Sequence, residues 1–446
     1  MKRKRILALL LAMALMAPLA ACGAAGSPDQ SSAQASTSES SQAPTQSASD
    51  KSGAITLQFW NGLTGPDGPV LQDYVNEFNQ SNKDGITISM NIIPWANFMQ
   101  KLPQSIATGT APDFVIMVGD MLGLYTSNGS YQPMDDYFTL GNTPKDKFTA
   151  ESLALFNLDG VQWSLPQALY GPAYYYWNKD LFKKAGLDPE KPPETYDQII
   201  EAAKKLTDPK TGTYGLGLPI QDNRLINQMI LSETGYTYFD ETTKKGNMEK
   251  PEVQALLTKL QSVIKTNKIS PPSVSGAEMD HLALTGQLAQ YMNGPWMLDG
   301  FRQSGLNFGV KSIPSGAKGP VGTVEGAGFA VLKDTSEANK KAVYKFLDFY
   351  YSDEKAVDWA LKNGNPPFLK PVIENDKIKS DPYASEFVKS MQYGKPHFVG
   401  YKTMPQITSD VLNPLFENVF YGGANVATAT KDADAAMEKI LAQETR

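Results

Sequence analysis

The chain has 446 residues, 41% of them hydrophobic and 20% charged, with a formal net charge of −6. That is material for two domains or one large bilobal unit, and its acidic balance gives it no electrostatic pull toward nucleic acid or an anionic lipid surface. With one cysteine and two histidines it has no disulfide framework and no H-x-x-x-H metal site.

At the N-terminus Lys2, Arg3, Lys4 and Arg5 precede the 12-residue apolar run Ile6–Ala17. This is the layout of a secretory signal peptide, and the run is too short for a mature membrane span. It ends in "LAAC", Leu19 to Cys22, which resembles the lipobox of bacterial lipoproteins, so residues 1–22 are expected to be a signal and Cys22 a lipidated first mature residue. Loss of the four signal cations takes the formal charge from −6 to −10. Residues 23–52 are rich in Ser, Ala and Gln, without aromatic or β-branched aliphatic residues, a tract unable to order itself and expected to act as a tether with a reach of about 30 Å.

The body follows, without internal repeat. "ITLQFW" turns Ile55, Leu57 and Phe59 inward and predicts a strand. From Pro69, Leu71, Tyr74, Val75 and Phe78 mark one face of an amphipathic helix. "GITISMNII" alternates again at Ile86, Ile88, Met90 and Ile92, and "DFVIMV" (113–118) reads as a strand buried on both faces. Strand, helix, strand, helix, strand predicts an α/β fold with a largely parallel sheet. Thr195 and Gln198 form a capping box before the stripe Ile199, Ala203 and Leu206. Val253, Leu256, Leu257, Leu260 and Ile264 line a further helix, "GFAVLK" (328–333) a strand, and Val343, Phe346, Leu347 and Tyr350 the next helix. Helices are expected from there to the end, with Leu412, Leu415, Phe416 and Val419 on one face.

Catalytic motifs are missing. There is no G-x-S-x-G elbow, phosphate-binding P-loop or G-x-G-x-x-G turn, and His281 and His397 stand far apart. Asp135–Asp136 reads as a cap or turn, and "DPKTGTYG" (208–215) as a turn without the spaced ligands of a calcium loop. The stronger pattern is aromatic residues near strand ends. Trp60 and Asn61 close the first strand, Trp95 follows Pro94, Tyr170 precedes Gly171–Pro172, Tyr174 to Trp177 cluster, and Trp296 follows Gly294–Pro295. A sugar offers an apolar C–H face and a rim of hydroxyls, which suits flat aromatic platforms among Asn, Asp and Glu. No Arg lies in these loops, which disfavours peptides as ligands.

"YYYWNKDLFKKAGLDPEKPPETYDQIIEAAKKL" (174–206), "GTAPDFVIM" (109–117), "GQLAQYMNGPW" (286–296) and "VEGAGFAVLKDTSEANKKAVYKFLDFYYS" (324–352) resemble the extracellular solute-binding proteins of ABC sugar importers, the maltose-binding-protein-like family. The resemblance implies an α/β two-lobed periplasmic-binding-protein-like fold of type II with a ligand cleft between lobes. It places one lobe at 53–166 plus 314–351 and the other at 167–313 plus 352–446, with crossings near Gln167–Tyr170, Ile313–Gly316 and Tyr350–Asp353. It implies a lipid-anchored, non-catalytic receptor that closes on a sugar or oligosaccharide and delivers it to the ABC permease transmembrane subunits, as a monomer, without cofactor or metal. The ligand-binding residues so implied are Trp60, Asn61, Trp95, Asp120, Tyr170, Trp296, Glu325, Gly326 and Asn365. Alternatives are a non-sugar solute such as a peptide or polyol on the same fold, or a glycoside hydrolase using an Asp/Glu pair.

Overall fold

β1 (Ile55–Asn61) enters with Leu57 and Phe59 fully buried, as its alternation requires. The computed structural model describes residues 54–444 except 219–222, 273–274, 313 and 397. The expected signal peptide, Cys22, the tether, Ile313 and His397 therefore lie outside the described residues. Among the described residues no helix is long and apolar enough to cross a membrane, and no cluster of His, Cys, Asp and Glu is arranged to hold a metal ion.

α1 (Asp67–Ser81) starts two residues before the expected Pro69, because Asp67 sits well in a first turn whose N–H groups attract negative charge. Its face Leu71, Tyr74, Val75 and Phe78 is buried as read. β2 (Ile86–Ile92) keeps the alternation only at Ile86 and Ile88. Met90 is half-buried and Ile92 is 38% exposed, since β2 is the edge strand of the sheet. α2 (Trp95–Thr108) leads to β3 (Phe114–Val118), buried on both faces. Phe59 and Phe114 stack at 4.2 Å across β1 and β3, the centre of an aromatic core.

β4 (Leu165–Tyr170) is the last element here before the chain changes sheets, through Gly171–Ala173, to β5 (Tyr174–Asn178). Tyr174 to Trp177, expected near a strand end, are instead the buried interior of β5. Tyr175 and Trp177 face a large helical core, while Tyr174 and Tyr176 face a smaller cluster on the other side. α3 (Tyr196–Leu206) carries the expected Thr195–Gln198 capping box. Then come α4 (Asn223–Thr234), α5 (Pro251–Asn267), with the expected stripe buried, and α6 (Gly276–Leu284). β6 (Gln290–Asn293) and β7 (Phe308–Lys311) flank β5 antiparallel in a three-stranded sheet, and α7 (Met297–Gln303) lies between them in sequence.

The chain then returns to the first sheet as β8 (Gly322–Val331), six residues earlier than the expected strand start. β8 runs antiparallel to β3 and to β4, so the six-stranded sheet is mixed rather than largely parallel. The reason is topological. β1, β2 and β3 are joined by helical crossovers, which keep strands parallel, whereas β8 arrives from the other half of the molecule and is free of that constraint.

α8 (Glu337–Tyr350) and α9 (Asp353–Asn363) follow. At the expected crossing Tyr350–Asp353, Ser352 caps α9 and the chain stays in the first core. Val357, Trp359, Phe368, Leu369 and Ile378 pack there, with the Trp359 and Tyr74 rings 6.0 Å apart. β9 (Gly394–Pro396) adds a short strand beside β8 in a stretch expected to be helical. From Phe398 to Leu441 the chain joins the second core, including Leu412, Leu415, Phe416 and Val419.

Asp135 and Asp136 stand in a turn and point apart. Asp135 accepts the Gln162 amide, whereas Asp136 pairs with Lys340 at 2.9 Å and accepts the Tyr344 hydroxyl at 2.6 Å. Asp208 closes its turn by accepting the Lys210 amide at 3.0 Å. His281 is exposed on α6.

Candidate ligand site

Gly294–Pro295 aims Trp296 by leaving room that no other residue leaves. A Cβ at Gly294 would lie 2.0 Å from the Trp296 ring, so the indole folds back over its own turn. The Tyr176 hydroxyl donates to the Gly294 carbonyl at 2.9 Å, and Asn293 Oδ1 accepts the Gly294 amide at 2.7 Å. The turn is thus fixed from the strand behind it. Trp296 itself is half-buried and begins α7.

Tyr170, at the end of β4, meets Trp296 edge-to-face with ring centroids 5.2 Å apart. Over both rings lies the Arg224 guanidinium, 5.0 Å from the Trp296 centroid and 5.5 Å from that of Tyr170. Arg224 Nε pairs with Glu325 Oε1 at 2.9 Å. Arg224 belongs to α4, whose neighbours Leu225 and Ile226 are in the second core, whereas Glu325 is on β8 of the six-stranded sheet, opposite Tyr170 in register. The ion pair therefore joins the two sheet systems at the aromatic pair. α4 is docked beneath the sheet-to-sheet passage by Gln228 Oε1, which accepts the Ala173 amide at 2.7 Å.

Two further carboxyl groups stand close by. A Cβ at Gly65 would lie 3.1 Å from Asp67 Oδ1 and 3.7 Å from Trp296 Cδ1, so carboxyl and indole flank the same point of backbone. Burial pushes the Asp67 carboxyl up to about 7, and the charge of Asp280 adds to the rise, against the pull of the Asp67 and Gly68 amides. Asp280 Oδ1 accepts the Tyr291 hydroxyl at 2.5 Å and Asn293 Nδ2 at 2.8 Å. Burial, with Asp67 and Glu325 nearby, also holds the Tyr170 phenol well above its usual range, so it serves as a neutral hydroxyl.

The residues named from sequence do not all gather here. Tyr170, Trp296 and Glu325 form one cluster. Trp60 is buried under Lys101 Nζ, 4.3 Å from its ring, and Trp95 stacks on Phe98 at 5.2 Å while covering Gly62. Asn61 is fully buried at the end of β1 with Oδ1 accepting the Leu63 amide at 3.0 Å; its Nδ2 has no hydrogen-bond partner among the described residues. Asp120 sits half-buried in the short turn after β3. Gly326 is a packing residue, because a Cβ there would come within 2.9 Å of the Ala168 carbonyl and of the Phe156 ring. Asn365 is buried and donates to the Leu169 carbonyl at 3.1 Å, clipping the strand that ends in Tyr170.

Sequence reasoning missed Arg224, Asp67 and Asp280. Asp67 carried a signal, an acidic residue after Gly–Pro at a helix start. Arg224 carried none: no Arg lies in the aromatic loops, and it is a helix distant in sequence that brings this one over both rings.

The family model described as bacterial extracellular solute-binding protein matches residues 61–357. The chain belongs to this family. Members of it are binding proteins, and the fold agrees. A solute-binding protein of an ABC transporter from Thermotoga lettingae, bound with α-D-tagatose, superposes with a TM-score of 0.78 at 21% identity, over 87% of this chain and all of that one. Among curated relatives, the maltotriose-binding protein of Pyrococcus abyssi is 26% identical over 78% of this chain and 74% of its own length. The sn-glycerol-3-phosphate-binding periplasmic protein UgpB of Agrobacterium fabrum is 27% identical over 87% of this chain and 91% of its own. This solute-binding protein thus has the two-lobed architecture, with the six-stranded and three-stranded sheets in different halves.

Proposed function

We propose that this solute-binding protein captures a neutral sugar or oligosaccharide between its halves and presents it to an ABC permease, held at the membrane by lipid on Cys22 and the tract 23–52. It binds without transforming its ligand. The observation that carries the reading is the Tyr170–Trp296 pair, set at the passage between the sheets and ringed by Asp67, Asp280, Glu325 and Arg224. The flat rings suit the C–H face of a pyranose, and the carboxylates accept its hydroxyls.

The lobes in this reading are residues 54–170 with 322–396, and 174–311 with 398–444. A ligand that touches both favours the closed arrangement by its differential affinity, and that arrangement is what the permease reads. Trp60, Asn61, Trp95 and Asp120, at the ends of β1 and β3 and the start of α2, belong to the same cleft in this proposal and take the more distant sugar units.

Charge favours one class of the relatives' ligands. Around the ring pair the Arg224 guanidinium is already paired with Glu325, and the Asp67 and Asp280 carboxyl groups stand nearby, so a phosphate would meet carboxyl groups and a guanidinium already engaged. Neutral saccharides are favoured over glycerol phosphate. The test is calorimetric titration and thermal shift of the purified protein with maltotriose, tagatose and sn-glycerol 3-phosphate. A bound sugar raises the melting temperature by mass action. Binding of glycerol phosphate alone would overturn the proposal, as would sugar binding left intact by Trp296→Ala.

A further inference from the structure

α9 ends in Asn363, which is 0% exposed, and neither Oδ1 nor Nδ2 of its carboxamide has a hydrogen-bond partner among the described residues. Such a group is expensive, because each buried polar atom without a partner gives up its hydration with nothing in return. The helix end does not need it. Gly364, at φ 68°, closes the helix with its amide on the Ala360 carbonyl at 2.9 Å, and an apolar residue before it would serve as well.

The place of Asn363 suggests what offsets that cost. A Cβ at Gly364 would lie 3.1 Å from Leu298 Cδ2, and Leu298 is two residues beyond Trp296 on α7. The Arg302 guanidinium at the other end of α7 donates to the Leu361 carbonyl of α9 and pairs with Asp381 at 2.8 Å, so the end of α9 is clamped against the helix that Trp296 begins. One turn before Asn363, on the same face, Trp359 lies 5.7 Å from the Tyr350 ring. Tyr350 is in turn bonded to Gln167 of the strand that ends in Tyr170. The Trp359 indole N–H also lacks a partner, but its ring borders a cavity of about 10 Å³, room for a single water. Asn363 is not among the residues lining that cavity.

We infer that Asn363 is a specificity-determining residue of the ligand site, its carboxamide donating to one hydroxyl and accepting from another on the sugar that packs against Trp296. This rests on the sugar-receptor reading above. It separates Asn363 from Asn365, two residues on, whose Nδ2 is spent on the Leu169 carbonyl. A donor and an acceptor on one rigid planar group read a pair of neighbouring hydroxyls, so deoxygenation or inversion at one of them should be rejected.

The experiment uses the full protein with maltotriose and tagatose, titrated calorimetrically against wild type, Asn363→Leu and Asn363→Asp. Leucine fills the space and removes both unpartnered atoms, so the ligand-free Asn363→Leu protein is expected to melt higher than wild type. Its affinity for whichever sugar wild type binds is expected to fall about tenfold or more, the loss of two hydrogen bonds. Higher stability with weaker binding is a combination that a merely structural asparagine does not give. Asn363→Asp keeps the size and acceptor but loses the donor, and carries the test should the leucine variant fail to fold; its affinity should also fall. Unchanged affinity in either folded variant overturns the inference while leaving the receptor reading intact. Failure of wild type to bind either sugar removes both.

Discussion

Asp67 provides a quantitative test of the site's electrostatics. Its carboxyl is buried between the start of α1 and Trp296, and desolvation above all pushes it from the ordinary 3.8 up to about 7. The folded protein therefore binds this proton more tightly than the unfolded chain does. Below pH 4 both forms are protonated and the group is neutral to stability. Between pH 4 and 7 the unfolded chain loses the proton first, so the contribution of Asp67 to stability falls as pH rises, and above 7 the full penalty is present. Raising the titration point from 3.8 to about 7 costs at most roughly 4 kcal/mol, at about 1.36 kcal/mol per pH unit. Asp67→Asn keeps the shape and the acceptor for the Gly68 amide but cannot ionise. The variant should gain on wild type progressively from pH 4 to 8, by up to about 5 °C in melting temperature for a chain of this size. Melting curves by calorimetry at pH 4, 5, 6, 7 and 8, without ligand, measure it. A difference between the two proteins that is flat with pH, or that shrinks toward alkaline pH, would refute a carboxyl with a raised titration point.

Arg224→Ala leaves the buried Glu325 without its ion-pair partner and should lower stability by about 2–4 kcal/mol; Arg224→Met with Glu325→Leu should recover most of it, as a double-mutant cycle in urea would show. Gly326→Val brings a side chain against the Ala168 carbonyl and the Phe156 ring, and chemical denaturation should show a loss of about 1–3 kcal/mol, as expected of a packing residue. Asn365→Ala removes the hydrogen bond to the Leu169 carbonyl and should cost about 1–3 kcal/mol by the same measurement. In Trp296→Ala the change of intrinsic fluorescence on adding maltotriose or tagatose should disappear, while far-ultraviolet circular dichroism stays unchanged.

Much of the fold was legible because it depends on local pattern. The alternation of Leu57 and Phe59, the helical face Leu71–Phe78 and the Thr195–Gln198 capping box follow from side-chain periodicity and from backbone groups that must be satisfied nearby. The site was legible in part. Trp296 stood out because Gly–Pro before a tryptophan is costly unless the ring has a place to go, and the structure shows the glycine leaving that place. Tyr174 to Trp177 misled, since an aromatic run before a helix looks the same whether it ends a strand or fills one.

The sequence by itself determined most of the elements and the family, and it marked out Trp296 behind its Gly–Pro turn, because these depend on neighbours within a few positions. Only the tertiary structure decided that β8 runs antiparallel, that 353–384 packs in the first core, and that Arg224 lies over Tyr170 and Trp296 against Glu325. Each of these joins residues tens to hundreds of positions apart. The strand direction depends on where the chain re-enters the sheet, and a guanidinium on one helix carries no mark of the rings and carboxylate that folding brings to it.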